Sequence, residues 1–261
     1  MTVEQKIYIE NNIDLIKDGY WDEFFKNAPE GIGEPLYMAG IDFMSEMNEV
    51  PRRSFKDSTL NSITISDGVT DILDYAFALC KNLTSVTMPD SVTNIGTHAF
   101  AWCENLTSIN IPDSITSIGD NAFYDCSSLT SITIPEGVTS IGKYAFENCT
   151  SLMSITIPES VTSIGGSAFA NCKSLASVTI PNSVTNIETY TFERCKSLKS
   201  ITIPDSVIRI GGEALSRCNN LKRINFQGTK EQWDAIAING NLYNKRLKII
   251  CSDGIIDINN K

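Results

Sequence analysis

The hydrophobic positions of this chain recur with a period of 23 residues through most of its length. Each unit begins with a cysteine, and these are Cys80, Cys103, Cys126, Cys149, Cys172, Cys195 and Cys218. In the unit that starts at Cys126, the apolar side chains are Leu129, Ile132, Ile134, Val138, Ile141 and Phe146. A period of 20 to 29 residues with leucine and isoleucine at fixed offsets is typical of a solenoid, in which each unit stacks on its neighbours.

The pattern within one unit predicts two short extended segments. Residues 131–134 alternate between polar and apolar side chains, which indicates a strand with one buried face. Pro135 ends this strand because proline has no N–H to donate to a ladder. Residues 138–141 form the second segment, and Gly142 turns the chain again. Stacking of identical units predicts a parallel sheet on the concave side of the solenoid and short second strands on its outer arc.

The N-terminal residues 1–56 lie outside the clear repeat. Apolar side chains at roughly helical spacing predict three short helices, around Ile7, around Phe24 and over residues 36–47. We expect these helices to cover the open end of the solenoid as an α-helical cap. Residues 50–55 resemble the end of a degenerate repeat.

The repeats themselves are assigned to residues 57–226, as seven full units and a closing strand. In the first unit, Asp57 takes the place of the cysteine. The remaining residues, 227–261, are predicted to form a C-terminal cap. Thr229, with Gln232 three residues later, has the capping-box pattern of a helix start, and the stretch from Leu247 reads as a final strand.

The charges are distributed unevenly around a net charge of −10. Residues 58–193 carry 13 acidic and 3 basic side chains, whereas residues 194–261 carry 6 acidic and 12 basic ones. An acidic body argues against direct nucleic-acid binding, which depends on neutralising phosphates.

The columns that should face the concave side are mostly serine and threonine, but basic side chains replace them in the last units. The candidate binding residues are Lys196, Lys199, Arg209, Lys222, Arg223 and Asn225. One interpretation is a basic patch at one end of the concave sheet that suits an acidic protein partner. The other is a solvated end whose charge limits edge-to-edge association.

Catalytic and metal-binding chemistry is not predicted. The cysteine column should consist of buried free thiols, because stacked side chains about 4.8 Å apart do not converge as a disulfide requires. Zinc sites need close ligand pairs, and His98 is the single histidine. His98 is expected to be a surface substitution at a variable position. We therefore expect no active site, no metal and no cofactor.

The unit C-x-x-L-T-S-I-T-I-P-x-S-V-T-S-I-G-x-x-A-F resembles the BspA-like subclass of leucine-rich repeats, over about residues 57–255. The closing G-T-K-E-Q-W-D-A-I and the strand after it are similar to the ending of many members. The resemblance implies a right-handed horseshoe used for protein–protein or adhesive binding, without enzymatic activity.

These observations together predict a non-enzymatic recognition or scaffold module that binds a protein through the concave sheet and adjoining loops. The chain lacks the pattern of a signal peptide or a membrane span, so we expect a cytoplasmic protein that does not bind membranes. For the oligomeric state, we favour a monomer. The alternative is an acidic inhibitor or decoy that imitates a nucleic acid, of the kind that phages encode against host defences.

Overall fold

A computed structural model of the chain describes residues 2–17, 21–38, 43–239 and 247–257. Short helices occupy the N-terminal region, and one further helix follows the repeats. Their bounds are α1 Val3–Asn11, α2 Ile13–Lys17, α3 Trp21–Lys26, α4 Gly33–Met38, α5 Phe43–Met47 and α6 Lys230–Asp234.

The strands form two parallel ladders and an antiparallel ending. The outer ladder contains β1 Glu49–Val50, β3 Asp71–Ile72, β5 Asn94–Ile95, β6 Ser117–Ile118, β8 Ser140–Ile141, β10 Ser163–Ile164, β12 Asn186–Ile187, β14 Arg209–Ile210 and β16 Ala237–Ile238. The concave ladder contains β2 Ser62–Thr64, β4 Ser85–Thr87, β7 Ser131–Thr133, β9 Ser154–Thr156, β11 Ser177–Thr179, β13 Ser200–Ile203, β15 Arg223–Phe226 and β17 Lys248–Cys251, and β18 Gly254–Asp257 follows it.

The architecture is the predicted right-handed horseshoe with a parallel concave sheet. Equivalent residues of successive units pair directly, as Ile132 with Ile155 in the concave sheet and Ile141 with Ile164 in the outer one. In the unit that begins at Cys103, the corresponding segment 107–111 does not form a strand. Because the repeat length is constant from Cys80 to Cys218, a buried residue of one unit lies against the residue at the same position of the next.

Two buried columns run through the core. The first is a stack of phenylalanine rings with centroids 5.0–5.6 Å apart and planes within 15° of parallel: Phe55, Phe77, Phe100, Phe123, Phe146, Phe169 and Phe192. The second is the cysteine column, in which the Cys126 thiol donates a hydrogen bond to the Phe100 carbonyl at 3.1 Å. The thiols of the other six units make the equivalent bond. The cysteines therefore join the two columns instead of forming disulfides.

A third backbone ladder runs along the turns that precede the cysteines. The N–H groups of Tyr144, Phe146 and Asn148 donate to carbonyls of the following unit at 2.8–3.1 Å. In each unit, two residues of this segment have positive φ angles, as Tyr144 at 58° and Asn148 at 63°. None of these positions is glycine in the described repeats, so hydrogen bonding to the next unit holds ordinary residues in a left-handed conformation that few adopt unaided.

The degenerate repeat predicted at residues 50–55 is the first rung of the solenoid. Val50 pairs with Ile72, and Phe55 stacks on Phe77. The cysteine position of the next unit, however, is filled by the buried Ser58 and not by Asp57. Asp57 has a φ of 60°, and its backbone N–H donates a hydrogen bond to the Ala78 carbonyl, as the Leu79 N–H does to the Ala101 carbonyl in the next unit. The residue missing from this unit thus lies between Ser58 and Leu60, and the assignment of Asp57 was wrong by one position.

The N-terminal helices pack on the first rungs. Phe24, Leu36 and Met44 are buried in the same core as the repeats. The Glu34 carboxylate accepts hydrogen bonds from the Thr59 hydroxyl and N–H at 2.6 and 3.1 Å. The single helix predicted over residues 36–47 corresponds to α4 and α5, and residues 39–42 lie outside the described part of the chain. The division into three domains stays a prediction.

The C-terminal end begins as predicted, with a capping box between Thr229 and Gln232 that starts α6. Trp233 is buried, with its ring 5.2 Å from that of Phe226. The stretch from Leu247 does form a strand, β17, but it is not the last one. β18 pairs with it in antiparallel orientation, with Lys248 opposite Asp257. This hairpin covers the edge that β17 would otherwise leave unpaired, and such edges invite association with other chains.

Candidate interaction surface

The concave basic end is the surface formed by Lys199, Lys222, Arg223 and Lys248. Arg223 pairs in register with Lys248 on the next strand. Lys199 and Lys222 are adjacent in their own column, where the Lys222 N–H donates to the Lys199 carbonyl at 3.0 Å. Since neighbouring strands lie about 4.8 Å apart, the four cations occupy a small area at one end of the sheet.

All four side chains are exposed. In the part of the chain that the structure describes, none of them forms an ion pair with a carboxylate. Asp257 lies opposite Lys248 across the final hairpin and offsets part of the charge at that corner. The basic end is therefore a concentration of positive charge that the described carboxylates leave largely available to a partner.

The other predicted site residues do not all join this surface. Asn225 does, half-buried on β15 between Thr202 and Ile250. Lys196 is exposed in the turn before β13, where its carbonyl accepts a hydrogen bond from Asn220 at 2.8 Å. Arg209 lies in the outer ladder on β14, with its guanidinium 3.6 Å from the Glu188 carboxylate. Its inclusion in a concave patch was wrong, because the second strand of each unit belongs to the other sheet.

Sequence reasoning missed Lys248 as a member of the basic end. The sequence signal is weak, because residues 248–251 read Lys-Ile-Ile-Cys and only the structure shows that exposed and buried side chains alternate there as in the other concave strands. The irregular C-terminal cap changes the spacing between paired residues of neighbouring strands: Lys248 follows Arg223 by 25 residues, instead of the 23 of the repeat.

Away from the basic end, the concave surface is polar and uncharged. The Thr84 hydroxyl donates to the Asn61 carbonyl at 2.9 Å, and the hydroxyls of Thr107 and Thr130 make the same bond one and two rungs later. Met153 interrupts this surface with an exposed side chain. These hydroxyls already have hydrogen-bond partners within the protein. The basic end is the part of the concave face that carries charge.

Reactive side chains are poorly placed for catalysis. Burial raises the pKa of the thiols of Cys126, Cys149 and Cys172, which removes the thiolate that a nucleophile needs. Burial lowers the pKa of His98, whose ring stacks on Tyr75 at 4.6 Å. Across residues 2–17, 21–38, 43–239 and 247–257, no cluster of three potential ligands is placed to hold a metal ion, and no helix has the length and hydrophobicity of a membrane span.

Comparisons with known proteins point to one family. The model of the BspA-type leucine-rich repeat region matches residues 48–161 and 116–245, with six copies. A leucine-rich repeat protein of T. pallidum is 32% identical over 65% of this chain and 80% of its own, with a TM-score of 0.59. A leucine-rich cell surface protein of Faecalibacterium prausnitzii is 31% identical over 77% of this chain and 66% of its own, with a TM-score of 0.40. A search of curated proteins found no match.

Proposed function

The chain belongs to the BspA-type leucine-rich repeat family, and from that premise we propose that it recognises a partner protein through the concave basic end. Members of this family are generally interaction or scaffold modules without enzymatic activity. The observation that carries the finer proposal is the cluster of exposed cations on β15 and β17 and at the residues just before β13 and β15. The chemistry that fits this cluster is an acidic surface on the partner.

The charge of the basic end supports the proposal because it contrasts with the rest of the molecule. Residues 58–193 are strongly acidic and would repel an acidic partner, so binding is favoured at one end of the sheet only. Complementary charge of this kind steers association and fixes orientation more than it adds affinity. The partner is therefore expected to dock in one register along the horseshoe.

The neighbouring columns provide the remaining contact area. A stable interface buries about 800 Å² on each partner, which is more than four side chains supply. The small hydroxyl side chains of β11 and β13, together with Asn225, continue the surface without a steric obstacle. Met153 lies farther along the same face and offers an apolar contact.

The decoy remains the second hypothesis for this protein. This hypothesis is supported by the acidic charge of residues 58–193. Their carboxylates do not form an arrangement that resembles a phosphate backbone. A monomer and a cytoplasmic location likewise stay predictions. A decoy should bind its target through the acidic units and weaken steeply with added salt, whereas the proposed recognition depends on the basic end.

Site-specific photocrosslinking tests which face binds. A crosslinking amino acid replaces Thr179, which is exposed on the concave strand β11, or Ser163, which is exposed on the outer strand β10. Both proteins are exposed to the same native lysate and irradiated. Adducts with one acidic protein from position 179, and none with it from position 163, support the proposal. Adducts from position 163 alone contradict it.

A further inference from the structure

One column on the turns carries side chains that stack along the solenoid. It contains the first residue of each unit's left-handed pair: Arg53, Tyr75, His98, Asn121, Tyr144, Ser167, Tyr190 and Glu213. Where neighbours in this column are flat groups, they stack. The Tyr75 and His98 rings lie 4.6 Å apart with planes 6° from parallel, and the Arg53 guanidinium lies 5.4 Å from the Tyr75 ring centroid.

The column is interrupted at Ser167. The unit that begins at Cys149 carries glycine at positions 165 and 166 and serine at 167, so it contributes almost no side chain to this surface. Glycine is required at Gly165, since a Cβ there would lie 2.5 Å from the Lys143 nitrogen of the preceding unit. Tyr144 and Tyr190 lie on either side of the interruption, and each residue is 43% exposed.

The interruption forms a groove of about 650 Å³. Both tyrosines line it, together with residues 165–167 that lie between them in the stack and the outer strands β8 and β10. Strands of successive units lie about 4.8 Å apart, so the tyrosines, two units apart, are separated by about 10 Å. A flat group placed midway would lie about 5 Å from each ring, within the range in which cations and aromatic rings interact.

Two acidic residues and one basic residue line the groove. The carboxylates of Asp120 and Glu188 line it, and Lys143 opposes them. Asp120 accepts a hydrogen bond from the Lys143 backbone at 2.7 Å, and Glu188 lies 3.6 Å from Arg209. Each carboxylate retains a second oxygen that an incoming cation could approach. The exposed Lys143 side chain can turn towards solvent on its long stem.

The first rungs of the same column show which cation fits. Arg53 occupies the position next to Tyr75, and its guanidinium both faces that ring and pairs with the Glu30 carboxylate at 3.1 Å. The groove offers the same environment, a tyrosine face with a carboxylate beside it, with a second tyrosine on the opposite side. Guanidinium is flat and stacks on aromatic faces, unlike the compact ammonium of lysine.

We propose that the groove between Tyr144 and Tyr190 is a binding site for an arginine side chain of a partner protein. The arginine takes the place in the column that Ser167 leaves open, with one tyrosine on each side and its N–H groups directed to Glu188 and Asp120. This site lies on a different face from the concave basic end and binds the opposite charge. It does not depend on that surface being functional.

Nuclear magnetic resonance titration tests the site on the full chain. The probe is a capped Gly-Arg-Gly peptide, followed through the amide signals of Gly166 and Ser167, with Gly-Lys-Gly and Gly-Tyr-Gly as matched peptides. Tyr190→Leu removes one wall, and Tyr75→Leu makes the same change in the same column outside the groove. Ser167→Tyr fills the groove with a residue that the column already accepts at three other positions.

The proposal predicts saturable shifts confined to the groove, with the arginine peptide binding more tightly than either matched peptide. Tyr190→Leu should raise the Kd about fivefold, for the loss of one cation–aromatic contact, and Tyr75→Leu should leave it unchanged. Ser167→Tyr should abolish binding while the circular dichroism spectrum is retained. Binding that survives Ser167→Tyr, equal binding of the lysine peptide, tighter binding of the tyrosine peptide, or no saturable shift would each overturn it. Lys199→Glu/Lys222→Glu should not affect the titration, so this proposal and the previous one fail separately.

Discussion

Phe146 is the residue whose replacement tests the stacked core most sharply. Its side chain is fully buried, and its ring lies 5.4 Å from Phe123 on one side and 5.4 Å from Phe169 on the other. Phe192 stands in the same column but has a phenylalanine on one side only, Phe169 at 5.5 Å. Its other neighbour in the column is the buried Leu215, which shows that leucine fits there.

The expected loss of unfolding free energy in variants of Phe146 and Phe192 follows from these contacts. Phe146→Ala should lower the free energy of unfolding by about 3–5 kcal/mol, since it removes a buried ring and leaves a cavity. Phe146→Leu keeps most of the volume but loses two ring contacts, and Phe192→Leu loses one. An aromatic pair contributes about 0.5–1.5 kcal/mol beyond its buried area, so Phe146→Leu should cost about 1 kcal/mol more than Phe192→Leu.

Urea unfolding followed by circular dichroism measures the difference. The slope of the transition must be compared as well as its midpoint, because a weakened central unit can uncouple the two halves of a solenoid. Equal costs for the two leucine variants, or a larger cost for Phe192→Leu, would refute the view that ring stacking adds to simple burial in this core.

Three further predictions concern other parts of the structure. Burial lowers the pKa of His98 below its ordinary 6.5, although the charges of Asp74 and Asp120 act to raise it. The unfolded chain therefore binds the proton more readily, and the free energy of unfolding should fall as pH drops from 6.5 towards the pKa in the folded protein. The free energy of unfolding of His98→Asn should lack this part of the pH dependence, and the same pH profile for both proteins would contradict the prediction. The thiols of the buried cysteine column should react with a thiol reagent only on unfolding, and rapid labelling of Cys126 in the native protein would count against it. Thr229→Ala removes the capping box of α6 and should cost about 1 kcal/mol in thermal or urea unfolding, unlike Thr116→Ala at an exposed position of the outer arc.

The repeating part of the fold could be predicted because each column meets the same environment in every unit. The strand ending at Pro135, the buried Phe146 and the free thiol of Cys126 all followed from the 23-residue period. The error at Asp57 arose where a unit has lost one residue: a deletion does not reveal its own position, and the burial of Ser58 together with the backbone hydrogen bonds places Ser58 in the cysteine column.

The turns and the C-terminal end were harder to predict. The left-handed positions of the repeats hold tyrosine, histidine, asparagine, serine, glutamate, arginine, leucine, tryptophan and aspartate, so no glycine marks them, and their conformation depends on the neighbouring unit. For the same reason the groove beside Ser167 could not be seen in one unit alone. β18 and the position of Lys248 in the basic end were not predicted, because the 23-residue period ends before them. The pairing of β17 with β15 and β18 is not part of the repeat, so no repeat indicates its register.

Affinity capture with charge reversal tests whether the concave basic end binds an acidic partner. Lys199→Glu/Lys222→Glu reverses two cations of that surface. Lys81→Glu/Lys173→Glu makes the same change in net charge at exposed positions in the turns of other units, where the ion pair of Lys81 with Glu104 is at the surface and contributes little. When circular dichroism shows that all three proteins are folded, we expect wild type and the Lys81/Lys173 variant to capture the same acidic protein and the Lys199/Lys222 variant to lose it. Equal capture by all three would contradict the claim.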